Sequence, residues 1–233
     1  MIISDILSKN GVDENKCQKF QKYFELLIDW NNKINLTAIT EETDVATKHF
    51  LDSISVFKSG VINEGYKVID IGTGAGFPGI PMKIYDESLS VTLLDSLNKR
   101  ITFLNEVIST LRLNNISCVH GRAEDFGRDK AHREKYDVCV SRAVANLATL
   151  SELCLPFVKV GGYFVAMKGP KAEEEIEMGK KAIKLLGGEI VDVLSYPIEG
   201  TDLEHNMVLV KKISQISEKY PRKAPKPSKE PLV

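Results

Sequence analysis

Cysteine and histidine are scarce in this chain, four of each in 233 residues. Cys17, Cys118, Cys139 and Cys154 form no C-x-x-C pair and the histidines are scattered, so no zinc-ligand spacing is present and no metal site is expected. No run approaches the roughly 20 apolar residues of a membrane span. The start, Met-Ile-Ile-Ser-Asp-Ile-Leu-Ser-Lys, lacks the basic stretch and long apolar core of a signal peptide. These absences lead to the expectation of a cytoplasmic protein with no membrane association. Three of its cysteines lie in apolar runs, as small buried side chains do.

Net charge is also nearly missing, at −1, but its distribution is uneven. From Lys211 onward the chain holds seven Lys/Arg against two acidic residues, a net +5, which leaves −6 on the first 210 residues. A basic tail on an acidic body points to a polyanionic partner or to a solvated terminus.

What is present is an ordered alternation. Residues 18–30 place Phe20, Tyr23, Phe24, Leu27 and Trp30 at three- and four-residue spacing, an amphipathic helix. A second helix is expected from about Asp44 to Phe57. After Gly65 the pattern changes to strands at 67–71, 91–94, 116–120, 137–141 and 163–167. Helices are expected between them, to about Tyr85, over 98–113 and over 147–158, and a further one over 171–186. Repeated β-α units imply a parallel sheet with right-handed crossovers. Two closing strands, 189–194 and 207–212, have no helix between them and suit an antiparallel pair at the sheet edge. The expected fold is α/β: a doubly wound, mostly parallel seven-stranded sheet with an N-terminal helical extension. Its division would be 1–64 for the extension, 65–213 for the main domain and 214–233 for the basic tail.

The most informative run is Val68-Ile69-Asp70-Ile71-Gly72-Thr73-Gly74-Ala75-Gly76-Phe77-Pro78-Gly79. Glycines at a strand end let the backbone turn sharply and approach a ligand closely. The helix that follows turns its N–H groups toward that ligand. Gly74 to Gly79 formally matches the dinucleotide pattern G-x-G-x-x-G. The first glycine after the strand is Gly72, however, and Asp70-x-Gly72-x-Gly74-x-Gly76 resembles motif I of Rossmann-like methyltransferases. Asp95, ending the second strand, suits the two ribose hydroxyls of either cofactor class. The terminal strand pair favours the methyltransferase sheet. Gly121-Arg122-Ala123-Glu124-Asp125 follows strand three, where Ala123 and Glu124 N–H groups would border an adenine ring. Ser141-Arg142-Ala143-Val144 ends strand four, and Arg142 would meet a carboxylate or a substrate phosphate.

Strand four lacks the Asn/Asp-Pro-Pro-aromatic run of adenine amino methyltransferases. Cys139 is in no Pro-Cys or Thr-Cys context, so a cysteine nucleophile of the pyrimidine C5 type is not expected. A target with a free lone pair, such as guanine N7, needs neither nucleophile nor base, only in-line positioning.

These motifs, together with Trp30-Asn31-Asn32-Lys33-Ile34-Asn35-Leu36-Thr37, His49-Phe50-Leu51-Asp52-Ser53, Lys168-Gly169 and Lys219-Tyr220-Pro221-Arg222-Lys223-Ala224, give a resemblance over nearly the whole chain. The chain resembles the glucose-inhibited division protein B family, bacterial small-subunit rRNA guanine-N7 methyltransferases. The resemblance implies S-adenosyl-L-methionine bound through Gly72, Phe77, Ala123, Glu124 and Arg142, beside the Asp70, Gly74 and Asp95 of the motif reading. It implies 16S rRNA or the small ribosomal subunit as partner, and a monomer is expected. It names no catalytic residue. Pro225-Lys226 departs from the glycine the family often has after Lys-Ala. The alternatives are a small-molecule or protein methyltransferase and a nicotinamide-dependent oxidoreductase. The tail cations, with Lys33, Lys99 and Arg100, would hold rRNA phosphates.

Overall fold

A computed structural model of the chain describes residues 2–142, 145–170 and 172–232. Its centre is a seven-stranded sheet in the order β3-β2-β1-β4-β5-β7-β6. Strands β1 (Lys67–Ile71), β2 (Ser90–Asp95), β3 (Ile116–His120), β4 (Tyr136–Arg142) and β5 (Val158–Lys168) run parallel. The last two, β6 (Gly188–Pro197) and β7 (Glu204–Lys212), form the expected antiparallel pair, and β7 lies against β5. Strand order reverses between β1 and β4, and ligands of open α/β sheets bind outside the carboxyl ends of the strands at such a switch point.

Alternation along the strands sorts the core into two layers. Val68, Val91, Leu93, Val138, Val140 and Val165 face one side. There they meet α1 (Ile2–Lys9), α2 (Glu14–Ile34), α5 (Gly79–Tyr85) and α6 (Asn98–Thr110). Ile69, Ile71, Cys139, Phe164 and Ala166 face the other, against α8 (Leu147–Cys154) and α9 (Ala172–Leu185). The stripe on α2 behaves as a core stripe: Phe20, Tyr23 and Leu27 are fully buried, and Phe24 and Trp30 pack partly buried against the same layer.

Local chemistry moves some boundaries. The helix expected over 147–158 stops at Cys154, because Pro156 removes a helical donor; a 3-10 turn, Leu155–Phe157, then feeds β5. The segment expected as one helix over 44–57 is composite. α3 (Glu42–Asp44) runs into a π-helical stretch, Val45–Leu51, then α4 (Asp52–Ile54) and a 3-10 turn, Ser55–Ser59. Such wide turns rotate side chains relative to a regular helix and recur at functional sites.

The basic tail is folded onto the domain. Glu152, fully buried in α8, receives the Arg222 guanidinium through Nε at 2.9 Å and Nη2 at 2.6 Å, and the Arg222 N–H at 2.7 Å. Arg133 donates to the Ile216 and Tyr220 carbonyls, and Arg128 to those of Lys219 and Pro221. Beyond α7 (Ala123–Phe126), the short α10 (Lys226–Lys229) completes the helices, with Pro227 buried. No described helix is long and apolar enough to cross a membrane.

Candidate functional site

At the carboxyl end of β1 the chain turns through Gly72, Gly74 and Gly76, all with positive φ (69°, 61° and 100°). A side chain at Gly76 would also collide, its Cβ falling 2.6 Å from the Tyr23 hydroxyl. That hydroxyl donates to the Ala75 carbonyl, so α2 of the N-terminal extension fixes the crest of the loop.

Asp70 lies beneath the loop, wholly buried. Its Oδ2 accepts from Thr73 Oγ1 at 2.7 Å and from the Gly79 N–H at 2.9 Å. Among the described residues Oδ1 has no hydrogen-bond partner. Burial pushes the carboxyl up to about 6, against those two hydrogen bonds. Asp70 therefore shapes the loop from below. Asp95 faces the open side: its Oδ2 accepts from the Gly74 N–H at 2.9 Å and Arg100 Nη1 at 3.2 Å, and its Oδ1 from the Leu97 N–H at 2.9 Å.

Two cavities meet at Gly72, Asp95 and Ser96. The larger, about 450 Å³, is walled by Thr37, His49, the glycine loop, Phe77, Arg100 and Arg142. The smaller, about 130 Å³, lies between the ends of β1 and β2 and residues Gly121, Arg122, Ala123 and Glu124. The structure thus brings Gly72, Gly74, Phe77, Asp95, Ala123, Glu124 and Arg142 around one crevice, with Asp70 under its floor.

Arg142 and His49 also wall a third cavity, a cleft of about 560 Å³ with Asp52, Met167, Lys168, Glu175 and His205. Here sits a cluster the motifs did not reveal. Asp52, 2% exposed, accepts from Arg142 Nη1 at 2.6 Å, the Tyr196 hydroxyl at 2.9 Å and His205 Nδ1 at 3.0 Å. Burial opposes its ionisation, but His205 and Arg142 outweigh burial and hold the carboxyl below its ordinary range.

Arg142 also donates to the Lys48 carbonyl at 3.1 Å, and its guanidinium lies 5.1 Å from the centre of the Phe77 ring. His49 Nδ1 lies 3.2 Å from both Arg142 Nη2 and the Lys48 carbonyl, and its Nε2 lies 2.8 Å from Thr37 Oγ1, so both ring nitrogens are engaged. Burial and the Arg142 charge lower His49 from 6.5 to about 4, so its ring is neutral at pH 7 and stacks on Phe77 at 4.5 Å. The sequence contained one signal for this cluster, His49-Phe50-Leu51-Asp52-Ser53; the π-helical stretch that ends at Leu51 brings His49, and Asp52 just after it, to the end of β4. Tyr196 and His205 arrive from β6 and β7, and no local pattern marks them.

Arg142 is the last residue of β4, and Ala143 and Val144 of the same motif lie outside the described residues. No cysteine lines the cleft. Burial raises the Cys139 thiol well above its ordinary value and pushes Cys118 up to about 11. Among the described residues no group of three His, Cys, Asp or Glu is placed to hold a metal ion.

Comparison with known proteins gives concordant results. A family model described as GidB, rRNA small subunit methyltransferase G, matches residues 16–203. Ribosomal RNA small subunit methyltransferase G of Clostridium botulinum (strain Loch Maree / Type A3) is 56% identical over 220 residues, 94% of this chain and 92% of the relative. The protein of that name from Clostridium tetani (strain Massachusetts / E88) is 54% identical over 95% of this chain and 93% of its own. Among solved structures, M. jannaschii TYW2 in complex with AdoMet superposes with a TM-score of 0.54 at 21% identity, covering 70% of this chain and 77% of that one. TrmN from Thermus thermophilus gives 0.56 at 13% identity over 72% and 53%. At these identities the two structures speak to the fold alone.

Proposed function

This chain belongs to the GidB family and is a small-subunit rRNA methyltransferase; from that premise we propose that it moves the methyl group of S-adenosyl-L-methionine to N7 of a guanine in 16S rRNA, in line and without a covalent intermediate. The observation that carries this reading is the shared wall: Arg142 and His49 border both the glycine-loop cavity and the open cleft. A donor held on one side and a base on the other would meet there.

The residues present fit the donor. The loop has no Cβ at Gly72 and Gly74 to keep a ligand from its backbone, Asp95 faces the crevice for a ribose, and the Ala123–Glu124 backbone borders a slot suited to an adenine. Bound S-adenosyl-L-methionine supplies a methyl group on a cationic sulfur. Arg142 beside a cationic ligand is answered by Asp52, which neutralises it and fixes its guanidinium where it would hold the ligand's carboxylate. Neutral His49 adds no second positive charge.

Guanine N7 brings its own lone pair, so the cleft has to orient the base and exclude water. Positioning alone supplies about 7–11 kcal/mol in well-oriented intramolecular reactions. The cleft fits that demand, with no cysteine among the described residues of its lining and both His49 ring nitrogens already engaged. The division at 64/65 and 213/214 follows these roles. Residues 1–64 brace the loop and supply His49 and Asp52, residues 65–213 hold the donor, and residues 214–233 carry lysines for rRNA phosphates. The protein acts as a cytoplasmic monomer.

The test is methyl transfer from labelled S-adenosyl-L-methionine to small subunits lacking the modification, with the digested nucleosides identified by mass. Labelled 7-methylguanosine at one site is expected. A methyl group on any other atom would overturn the N7 reading.

A further inference from the structure

Two carboxylates line the cleft, and they are differently committed. Asp52 is saturated by Arg142, Tyr196 and His205, with its side chain 1% exposed. Glu175, on α9, is 32% exposed. Its Oε2 accepts from the Leu147 N–H at 3.0 Å and from Lys168 Nζ at 2.7 Å, and Lys168 is itself buried and donates also to the Ala145 carbonyl. A carboxylate has about four acceptor positions, and these two donors occupy positions on Oε2 alone. A long glutamate side chain on a surface helix is thereby clamped in one orientation at the edge of the cleft.

Guanine differs from adenine on the edge opposite N7. There guanine carries two adjacent donors, N1–H and the N2 amino group, where adenine offers the N1 acceptor. With Oε2 occupied, Oε1 of the clamped carboxylate keeps two acceptor positions, which can take the two adjacent donors of guanine and repel the adenine acceptor. With N7 directed at the wall shared by Arg142 and His49, the donor edge faces the far side of the cleft. Resting on the N7 reading above, we propose that Glu175 is the specificity-determining residue that selects guanine through N1–H and the N2 amino group, with Lys168 as its positioning residue.

Inosine is guanosine without the N2 amino group and keeps N7 and N1–H. The experiment compares kcat/KM of parent and Glu175→Gln on small subunits reconstituted with 16S rRNA carrying guanosine or inosine at the target. The parent should favour guanosine by roughly tenfold, since a hydrogen bond to a charged group is worth about that factor or more. Glu175→Gln should lose roughly ten- to hundredfold on guanosine and bring the ratio close to one. Its affinity for S-adenosylhomocysteine should stay at the parent value, because Glu175 lies outside the donor crevice. A purely structural role would lower both RNAs by the same factor and preserve the parent ratio, and that result would overturn the assignment. A parent that makes 7-methylguanosine yet treats both RNAs alike would overturn the assignment alone. A parent that makes no 7-methylguanosine would overturn the N7 reading and the assignment with it.

Discussion

Asp70 and Asp52 are both removed from water, yet they sit in opposite electrostatic states. Asp70 has two neutral donors on one oxygen and no cation in contact, and its carboxyl is pushed up to about 6. Asp52 has a guanidinium, an imidazole and a phenol, and is held below the ordinary range. Burial penalises both charges equally in kind; the partners decide the sign. The difference teaches how each half of the site is built. The glycine loop is a backbone structure tied down by a carboxylate that tolerates either protonation state. The Arg142 cluster is a charge structure that fails without its anion.

The largest expected effect follows from removing that anion. Asp52→Asn keeps the shape and strands Arg142, whose side chain is only 14% exposed. Removing one partner of a buried pair costs about 3–5 kcal/mol, a melting temperature lowered by roughly 10 °C in a chain of this size. Affinity for S-adenosyl-L-methionine should fall with it, since Arg142 loses its orientation. Calorimetry and a cofactor titration read both. A variant within 2 °C of the parent, a threshold of about one kcal/mol, would show that the two aspartates do not differ as described.

Asp70→Asn should act on the pH profile. An unfolded aspartate titrates near 3.9 and folded Asp70 near 6. Between these values the folded chain holds the extra proton, so Asp70 makes stability fall as pH rises, by about 3 kcal/mol in all. His49 does the reverse. Its folded value of about 4 lies below 6.5, so the unfolded chain holds the extra proton and stability rises by about 3 kcal/mol across that window. In the parent the two slopes largely cancel between pH 4 and 6. Asp70→Asn removes one of them, and its stability should climb through that range in urea titrations at pH 4, 5 and 6. An unchanged slope would place the Asp70 carboxyl at an ordinary value.

A smaller effect tests how the loop is held without charge. Tyr23→Phe deletes the donor to the Ala75 carbonyl and keeps the ring among Phe50, Phe77 and Phe103. The carbonyl left behind should cost about 1–2 kcal/mol. Cofactor affinity should weaken severalfold, because the loop crest loses its brace. Isothermal titration with S-adenosylhomocysteine measures this, and parent-like affinity would show that the N-terminal helices do not support the loop.

The two halves also differ in how far they could be read before any coordinates. Asp70, Gly72, Gly74, Gly76 and Asp95 are contiguous or one strand apart, and glycine spacing states its backbone geometry directly, so the loop and sheet order were legible. The Asp52 cluster gathers residues 49, 52, 142, 196 and 205 from five separate elements. No periodicity encodes that convergence, and His49 reads as an ordinary helical residue until the π-helical stretch is seen. The tail was legible only in part, for a related reason. Composition shows seven cations but cannot show that Lys212 and Arg222 answer Glu134 and Glu152 inside the fold.

That division of the tail's cations supplies the smallest expected change in stability. Lys219, Lys223, Lys226 and Lys229 are exposed, whereas Arg222 is bound to a carboxylate as buried as Asp52. Changing the four lysines together to glutamine should leave the melting temperature within a degree or two, since exposed pairs such as Lys226–Glu230 contribute little. The same variant should bind small-subunit rRNA more weakly and lose salt dependence, by about 0.7 in the logarithmic slope for each phosphate no longer neutralised. Arg222→Gln should do the opposite: it lowers the melting temperature by stranding Glu152 and leaves the salt slope near the parent value, because a guanidinium held against Glu152 neutralises no phosphate. If Arg222→Gln flattened the slope as the lysine changes do, the tail would have to leave its place on α8 when RNA binds.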